Sequence, residues 1–518
     1  MVDISAIQAA LGDQGVWAAV ATLAAGVLLL VLVLSRKQSR LCPLYTELLP
    51  VIGDSIELSL SDSATFMFKR YKQYGSVFRV TLAGTPAYVV ADYEAIRKPY
   101  RDEGGFPETP FSAFKALMGD YNVTGNKAVH GPWRKAFLQA LGSGGLQRLF
   151  PRVLAVMEGH LAEWERYGGM PSLYASARRM GLDLSIDVVA DVELSERVDR
   201  VWFKKEAATW LDGIFAIPIN LPGTPLAKAL AAKQRIVAVL EAEVAAVHDK
   251  LRGEWEASGH NLGAVAEART AAGSMRLSTV TQLGLFGIGH SELRDSAMSV
   301  LHSVMAAGDT TRWTLFNTWA LLAMSPRVQE ECFKEQQKVI AEYGPEMSWQ
   351  AVSNVPYMDA VLKEAMRLLP ASAGGLRKLT EDLAVGDVVV PKGSYVWLYA
   401  HMMHCLDPVL WDGRTDYDLP PHMDWRNNFE EAFKPERWLG DAKPKYYFTF
   451  GSGTHLCAGQ QLAYMEVKTM LSMVLRRYRV RLDNPRMLHT ARFFPFTIPA
   501  PGTDRVILEP RAVPSAAA

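Results

Sequence analysis

Apolar residues recur at helical spacing over 151–167, 226–251, 291–324, 326–342 and 460–477, with Pro and Gly between them, which predicts long amphipathic or buried helices there. Two segments read differently. The run SVFRVTLAGTPAYVVAD over 76–92 is rich in Val, Thr and Tyr around Gly84-Thr85-Pro86 and predicts a β-hairpin. A second strand signal over 383–400 has Pro391-Lys392-Gly393 between β-branched and aromatic runs. The body, 41–518, is therefore mostly α with small β-sheets (α+β), and no repeat period interrupts it.

Residues 16–34 follow neither pattern, because VWAAVATLAAGVLLLVLVL has no charge at all. At ~1.5 Å per residue it covers ~28 Å, close to a ~30 Å hydrocarbon core. Asp3 and Asp13 precede it and Arg36, Lys37 and Arg40 follow, so residues 1–40 are expected to be a single-pass anchor that keeps its basic flank cytosolic. Pro43, Pro50 and Gly53 then make a stiff turn between membrane and body.

Lys+Arg and Asp+Glu both total 55, which leaves no bulk field for nucleic acid, so no nucleic-acid partner is expected. The four cysteines stand far apart without a CxxC pair, which argues against a disulfide framework and a zinc knuckle. Cys42, Cys332 and Cys405 read as packing or surface thiols. Cys457 differs, since FGSGTHLCAG places it in a tight loop between Phe450, Gly453 and Gly459, where a thiolate can approach one face of a planar iron cofactor.

The spacing Phe-x-x-Gly-x-x-x-Cys-x-Gly resembles the haem-thiolate monooxygenases, the cytochrome P-450 family, in its eukaryotic membrane-anchored type. The resemblance implies the P-450 fold, haem b (iron protoporphyrin IX) with Cys457 as metal ligand, and cofactor contacts from Phe450, Gly453, His455 and Gly459. Glu364 and Arg367, three apart on an otherwise apolar helix, can pair with each other. The family implies that Arg437, in FKPERW, completes a structural triad with them. Asp309 and Thr310, in VMAAGDTTRW, correspond to the acid-alcohol pair that delivers protons to bound O2, which makes them the catalytic candidates. Ala307 stands at the usual glycine and Gly308 follows it. His130, Arg134, Arg377 and His455 are implied partners for the haem propionates, and for Trp133 packing and propionate contact are both open.

Segment 216–230, AIPINLPGTPLAKAL, resembles the branch that oxidises sterols, retinoids and other terpenoids, and FFPFTIP resembles the C-terminal pocket loop; proline-capped helix and plain core are the competing readings. The expected function is insertion of one atom of O2 into a lipophilic substrate. The chain has no glycine-rich dinucleotide fingerprint, so electrons are expected from a separate NADPH-cytochrome reductase, with cytochrome b5 as a second donor. Arg134, Lys135, Lys443 and Lys445 offer a basic docking face for it, with a merely solvated charged surface as the competing reading. The expected setting is the endoplasmic reticulum membrane, with a plastid membrane as the alternative. A haem-thiolate isomerase or dehydratase, a desaturase and a non-catalytic haem-binding membrane protein are the rival functions.

Overall fold

The computed structural model describes residues 41–42, 54–82, 85–118, 130–131, 134–135, 137–138, 141–191, 194–272, 277–289, 292–414, 416–493 and 496–511. Among them no helix is long and apolar enough to cross a membrane; the expected anchor lies outside the described residues.

The hairpin expected over 76–92 is β1 (Val77–Leu82) against antiparallel β2 (Thr85–Val90), in the register Val77 to Val90 through Leu82 to Thr85. Thr85 and Pro86 belong to β2 rather than to the turn. Pro86 sits one position before the parallel ladder to the next strand begins at Ala87, so its missing N–H costs that ladder nothing. Asp92 caps α1 (Tyr93–Tyr100) by accepting from the N–H of Ala95, and β3 (Gly105–Pro107) follows.

The helix expected from residue 151 begins earlier, as α2 (Ser143–Arg166), and runs through Pro151. Leu146, Phe150, Val153, Met157, Leu161 and Trp164 form one buried stripe, and that stripe outweighs the single hydrogen bond lost at proline. Strand β4 (Gly169–Met170) leads to α3 (Leu173–Leu184), which continues as a π-helical turn over Ser185–Ala190. Next come α4 (Arg200–Asp212), α5 (Pro225–Ala257), the central α6 (Leu293–Ala323) and α7 (Pro326–Tyr343). Thr224 and Ser325 cap α5 and α7, each directly before a proline whose fixed φ suits a helix start.

Helix α8 (Pro356–Leu368) precedes β5 (Leu376–Leu379), β6 (Leu383–Val385), β7 (Val388–Val390), β8 (Tyr395–Trp397) and the short α9 (Ala400–Cys405). Here the strand signal over 383–400 divides. Gly386, at φ +55°, turns β6 into β7 as a separate hairpin, whereas Pro391-Lys392-Gly393 switches the chain into another sheet. That sheet has five strands in the order β1-β2-β8-β5-β3, with β2 and β8 parallel. The chain closes with α10 (Gln460–Leu475), β9 (Tyr478–Leu482) and β10 (Val506–Pro510), and β10 pairs with both β4 and β9 at the centre of a three-stranded sheet.

The largest apolar core packs α2, α8 and α10 around the C-terminal half of α6, and a second packs α4 and α5 on its N-terminal half. Helix backbones approach closely where α3 crosses α6. A Cβ built on Gly181 would lie 2.4 Å from the Gly308 carbonyl oxygen, and one on Gly308 would lie 3.0 Å from Ser185 Oγ.

Candidate active site

Residues 448–459 fold back on themselves. The Cys457 N–H donates to the Phe450 carbonyl at 2.8 Å, and Gly451 and Gly453 turn the chain at φ +77° and +70°. Gly453 is required twice over, because a Cβ there would sit 2.0 Å from the Tyr100 carbonyl oxygen. Gly459 has an ordinary φ of −86°, so its value lies elsewhere: an added methyl would touch the Cys457 sulfur, at 3.8 Å. Cys457 is solvent-exposed, while Cys42, Cys332 and Cys405 are buried. Close protein walls nonetheless push its thiol pKa up, against the N–H of Gly459 and the charge of Arg134.

Beside this loop the expected cofactor contacts converge. The His130 and His455 rings stack at 4.0 Å, 21° from parallel, and His455 Nε2 lies 3.0 Å from Asp102. Thr454 Oγ1 donates to the same carboxylate at 2.7 Å. Arg377, on β5, stacks its guanidinium 4.1 Å from the Tyr100 ring centre; it is 6% exposed and its Nε has no partner among the described residues. Burial, then the neighbouring His455 and Arg134, lower the His130 pKa to about 4, so at neutral pH His130 offers a hydrogen bond and no charge. The positive charge therefore rests on Arg134 and Arg377. Asp102 was not visible as a site residue; it holds φ +58° without being glycine, and only the fold reveals that. Trp133 lies outside the described residues.

The three residues of the expected structural triad share one buried network. Arg367 donates from Nε and Nη2 to the two Glu364 oxygens, both at 2.9 Å, and Arg437 Nε reaches Oε1 at 2.8 Å. Trp438 Nε1 at 2.9 Å and the Lys434 N–H at 3.1 Å complete the shell. Burial pushes the Glu364 carboxyl up, but Arg367 and then Arg437 outweigh it and hold the group at about 2.

On α6, Ala306 and Thr310 are exposed one turn apart among buried and half-buried neighbours, so both lie on one open face of the helix. The helix stays regular, with the Thr310 hydroxyl donating to the Ala306 carbonyl at 2.6 Å and that of Thr314 to the Thr310 carbonyl at 2.8 Å. Gly308 does not stand in for the glycine expected at Ala307: it faces α3 at the backbone crossing with Gly181. Asp309 turns the same way, to Arg312 Nη1 at 3.2 Å, and burial raises its pKa despite Arg312 and Arg178.

One carboxyl escaped the sequence reading. Glu466, on α10, is 1% exposed, accepts the Thr311 hydroxyl at 2.9 Å, and has no described partner at Oε1. Burial raises its pKa to about 8, so it is protonated at neutral pH. A lone Glu in the apolar run QQLAYMEVKTMLSMVL was the available signal.

The profile described as Cytochrome P450 matches residues 43–419 and 427–502. The chain belongs to the cytochrome P450 family. It is an oxidoreductase of that family's monooxygenase class, and the fold is the helical P450 fold with small sheets. It is similar to cytochrome P450 85A1 of Oryza sativa subsp. japonica, 26% identical over 450 residues that cover 83% of this chain and 85% of the relative. It is also similar to abscisic acid 8'-hydroxylase 1 of Arabidopsis thaliana, 25% identical over 449 residues covering 83% of each. Among solved structures, retinoic acid bound cyanobacterial CYP120A1 shares the fold, with a TM-score of 0.68 and 22% identity over 89% of this chain and 97% of that one.

P450 enzymes use haem, and the residues present suit it: a thiol on a glycine-turned loop, two arginines beside it, and a buried guanidinium Nε that lacks an acceptor.

Proposed function

We propose that this P450 is a membrane-anchored monooxygenase that oxidises a lipophilic terpenoid- or sterol-like molecule. The observation that carries the substrate class is the meeting of two distant segments: Phe215, beside the segment 216–230, packs edge-on against Phe496 of the C-terminal loop, ring centres 5.1 Å apart. Phe496 in turn stacks on Trp313 of α6 at 4.9 Å. Next to that aromatic wall Ile217, Ile219 and Leu221 are exposed, Ile217 by 74%, which suits entry of an apolar substrate from a lipid surface. The relatives named abscisic acid 8'-hydroxylase support a substrate of terpenoid type.

Cys457 would hold the haem iron through its sulfur, and binding of the metal would favour the thiolate over the thiol that burial favours in its absence. Arg134 and Arg377 take the propionates, with His130 and His455 as hydrogen-bonding neighbours. When bound, the haem supplies the oxygen activation. Thr310 holds its hydroxyl, one turn from Ala306, on the face of α6 that lines the substrate cleft opposite Cys457, and Asp309, held by Arg312 on the α3 side, supplies the exchangeable carboxyl of the pair. A separate NADPH-dependent reductase delivers the electrons and docks on the face carrying Lys135, Lys443 and Lys445, all exposed. Residues 1–40 anchor the body, 41–518, to the membrane.

The test is incubation of reductase-reconstituted membranes with sterol, terpenoid and fatty-acid panels, followed by product mass analysis. A product 16 mass units heavier, dependent on NADPH and O2, is expected from the terpenoid or sterol panel. Turnover of fatty acids alone overturns the substrate class, and turnover without NADPH overturns the monooxygenase reading.

A further inference from the structure

Helix α8 ends just before Pro370, which has no N–H to give the Met366 carbonyl, and the last turn of any helix leaves further carbonyls without helical partners. The segment leading to Cys457 takes up one of them directly and reaches a second through His404. Thr449 Oγ1 donates to the Met366 carbonyl at 3.1 Å. His404, on α9, lies 2.9 Å from the Arg367 carbonyl through Nδ1 and 2.9 Å from the Phe448 nitrogen through Nε2. A backbone N–H can only donate, so Nε2 is the acceptor and Nδ1 carries the proton. The ring is completely buried, stacks on Tyr447 at 5.5 Å, and stays neutral because burial lowers its pKa to about 3. Asp407, also completely buried, accepts the Lys445 and Tyr446 N–H groups, the latter at 2.6 Å.

From Phe448 the connection continues. Its carbonyl accepts the Gly451 N–H at 2.9 Å, and the Phe450 carbonyl accepts the Cys457 N–H at 2.8 Å. Glu364 and Arg367 fix α8 through bonds to other elements, Glu364 accepting Arg437 Nε at 2.8 Å and Arg367 Nη2 donating to the His422 and Ala432 carbonyls at 2.8 and 2.7 Å, and the only ring that joins the carbonyl of Arg367 to this loop among the described residues is His404.

We infer that His404 is a positioning residue for the cysteine loop: it carries the placement of the buried ion-pair helix to the Cys457 sulfur. The inference rests on Cys457 being the iron ligand. Two variants separate positioning from packing. His404→Phe keeps an aromatic ring beside Tyr447 and removes both hydrogen bonds; His404→Gln keeps one donor and one acceptor. In the reduced CO complex, wild type and the Gln variant are expected to show the red-shifted band of a thiolate-ligated haem, and the Phe variant to move a substantial share into the blue-shifted band of a lost or protonated thiolate. The haem-free full-length chains supply a second readout, alkylation of Cys457 by iodoacetamide followed by peptide mass spectrometry, with buried Cys332 and Cys405 as reporters of global opening. The Cys457 rate is expected to change severalfold in the Phe variant alone while Cys332 and Cys405 stay protected in all three chains. Should the Phe variant load no haem, alkylation decides. Wild-type spectra and wild-type labelling in the Phe variant overturn the inference, and so does labelling of all three cysteines together, which makes His404 a core residue only. A wild-type protein without the red-shifted band defeats the reading of Cys457 as ligand instead, a separate outcome.

Discussion

The two sides of the proposed cleft, α8 with its ion pair and the open face of α6, spend their polar groups in opposite ways. Around α8 the hydrogen bonds cross between elements: besides two from Arg367 on its own helix, Glu364 accepts three from outside it, from Arg437, Trp438 and the Lys434 backbone. On the exposed face of α6 they turn back on the helix itself, Thr310 to Ala306 and Thr314 to Thr310. Crossing bonds fix the distance between elements. Local ones leave a lining that can change without moving the scaffold, which under the proposed function lets the first side place the sulfur and the second adapt to a substrate.

The strongest break in that comparison is Cys457→Ala, which is expected to abolish both the red-shifted CO band and all oxygenation, because no other exposed thiol stands among the described residues. Retained turnover ends the functional reading. Glu364→Ala comes next. It strands two buried guanidinium groups and is expected to cost about 3–5 kcal/mol in urea unfolding, whereas Ile217→Ser on the exposed loop is expected to stay within about 0.5 kcal/mol. Equal losses would erase the contrast. Thr310→Ala gives up only a bond within its own helix, so folding and cofactor loading should be unchanged while reducing equivalents are diverted to peroxide. An unchanged ratio of product to NADPH consumed assigns Thr310 to packing.

The smallest effect is one of pH. The Glu466 carboxyl titrates near 8 when folded and near 4.5 when exposed, so the unfolded chain releases this proton first and the native state loses stability as pH rises from about 4.5 to 8. Glu466→Gln removes that slope. Its melting temperature should gain on wild type across this window and run parallel to it above 8; a constant difference at all pH values would show that the carboxyl is ionised in the native state.

How much of this could be read from the chain depends on how far apart the interacting groups lie. The Cys457 loop and the Glu364–Arg367 pair are local patterns, and their residues meet as expected. Long helices were legible from their buried stripes, although Pro151 misplaced the start of α2 and Gly181 hid α3. His404, Asp102 and Glu466 were not legible. Their partners are Phe448, His455 and Thr311, and pairings across such intervals leave no periodic trace. Asp309 was found by its neighbours in sequence, yet its contact with Arg312 points it towards α3, a direction that spacing alone does not give.

The crossing of Gly181 with Gly308 bears on how this enzyme can be re-engineered. A methyl at 308 meets the hydroxyl of Ser185, which can rotate away, but a methyl at 181 meets a backbone carbonyl, which can retreat only if α6 moves as a rod. Such a shift would carry Ala306 and Thr310 with it and alter the depth of the cleft while every residue lining it stayed the same. A crystal structure of Gly181→Ala should show α6 displaced away from α3, and if it shows a rearranged α3 instead, the cleft is tunable only through the side chains that face it.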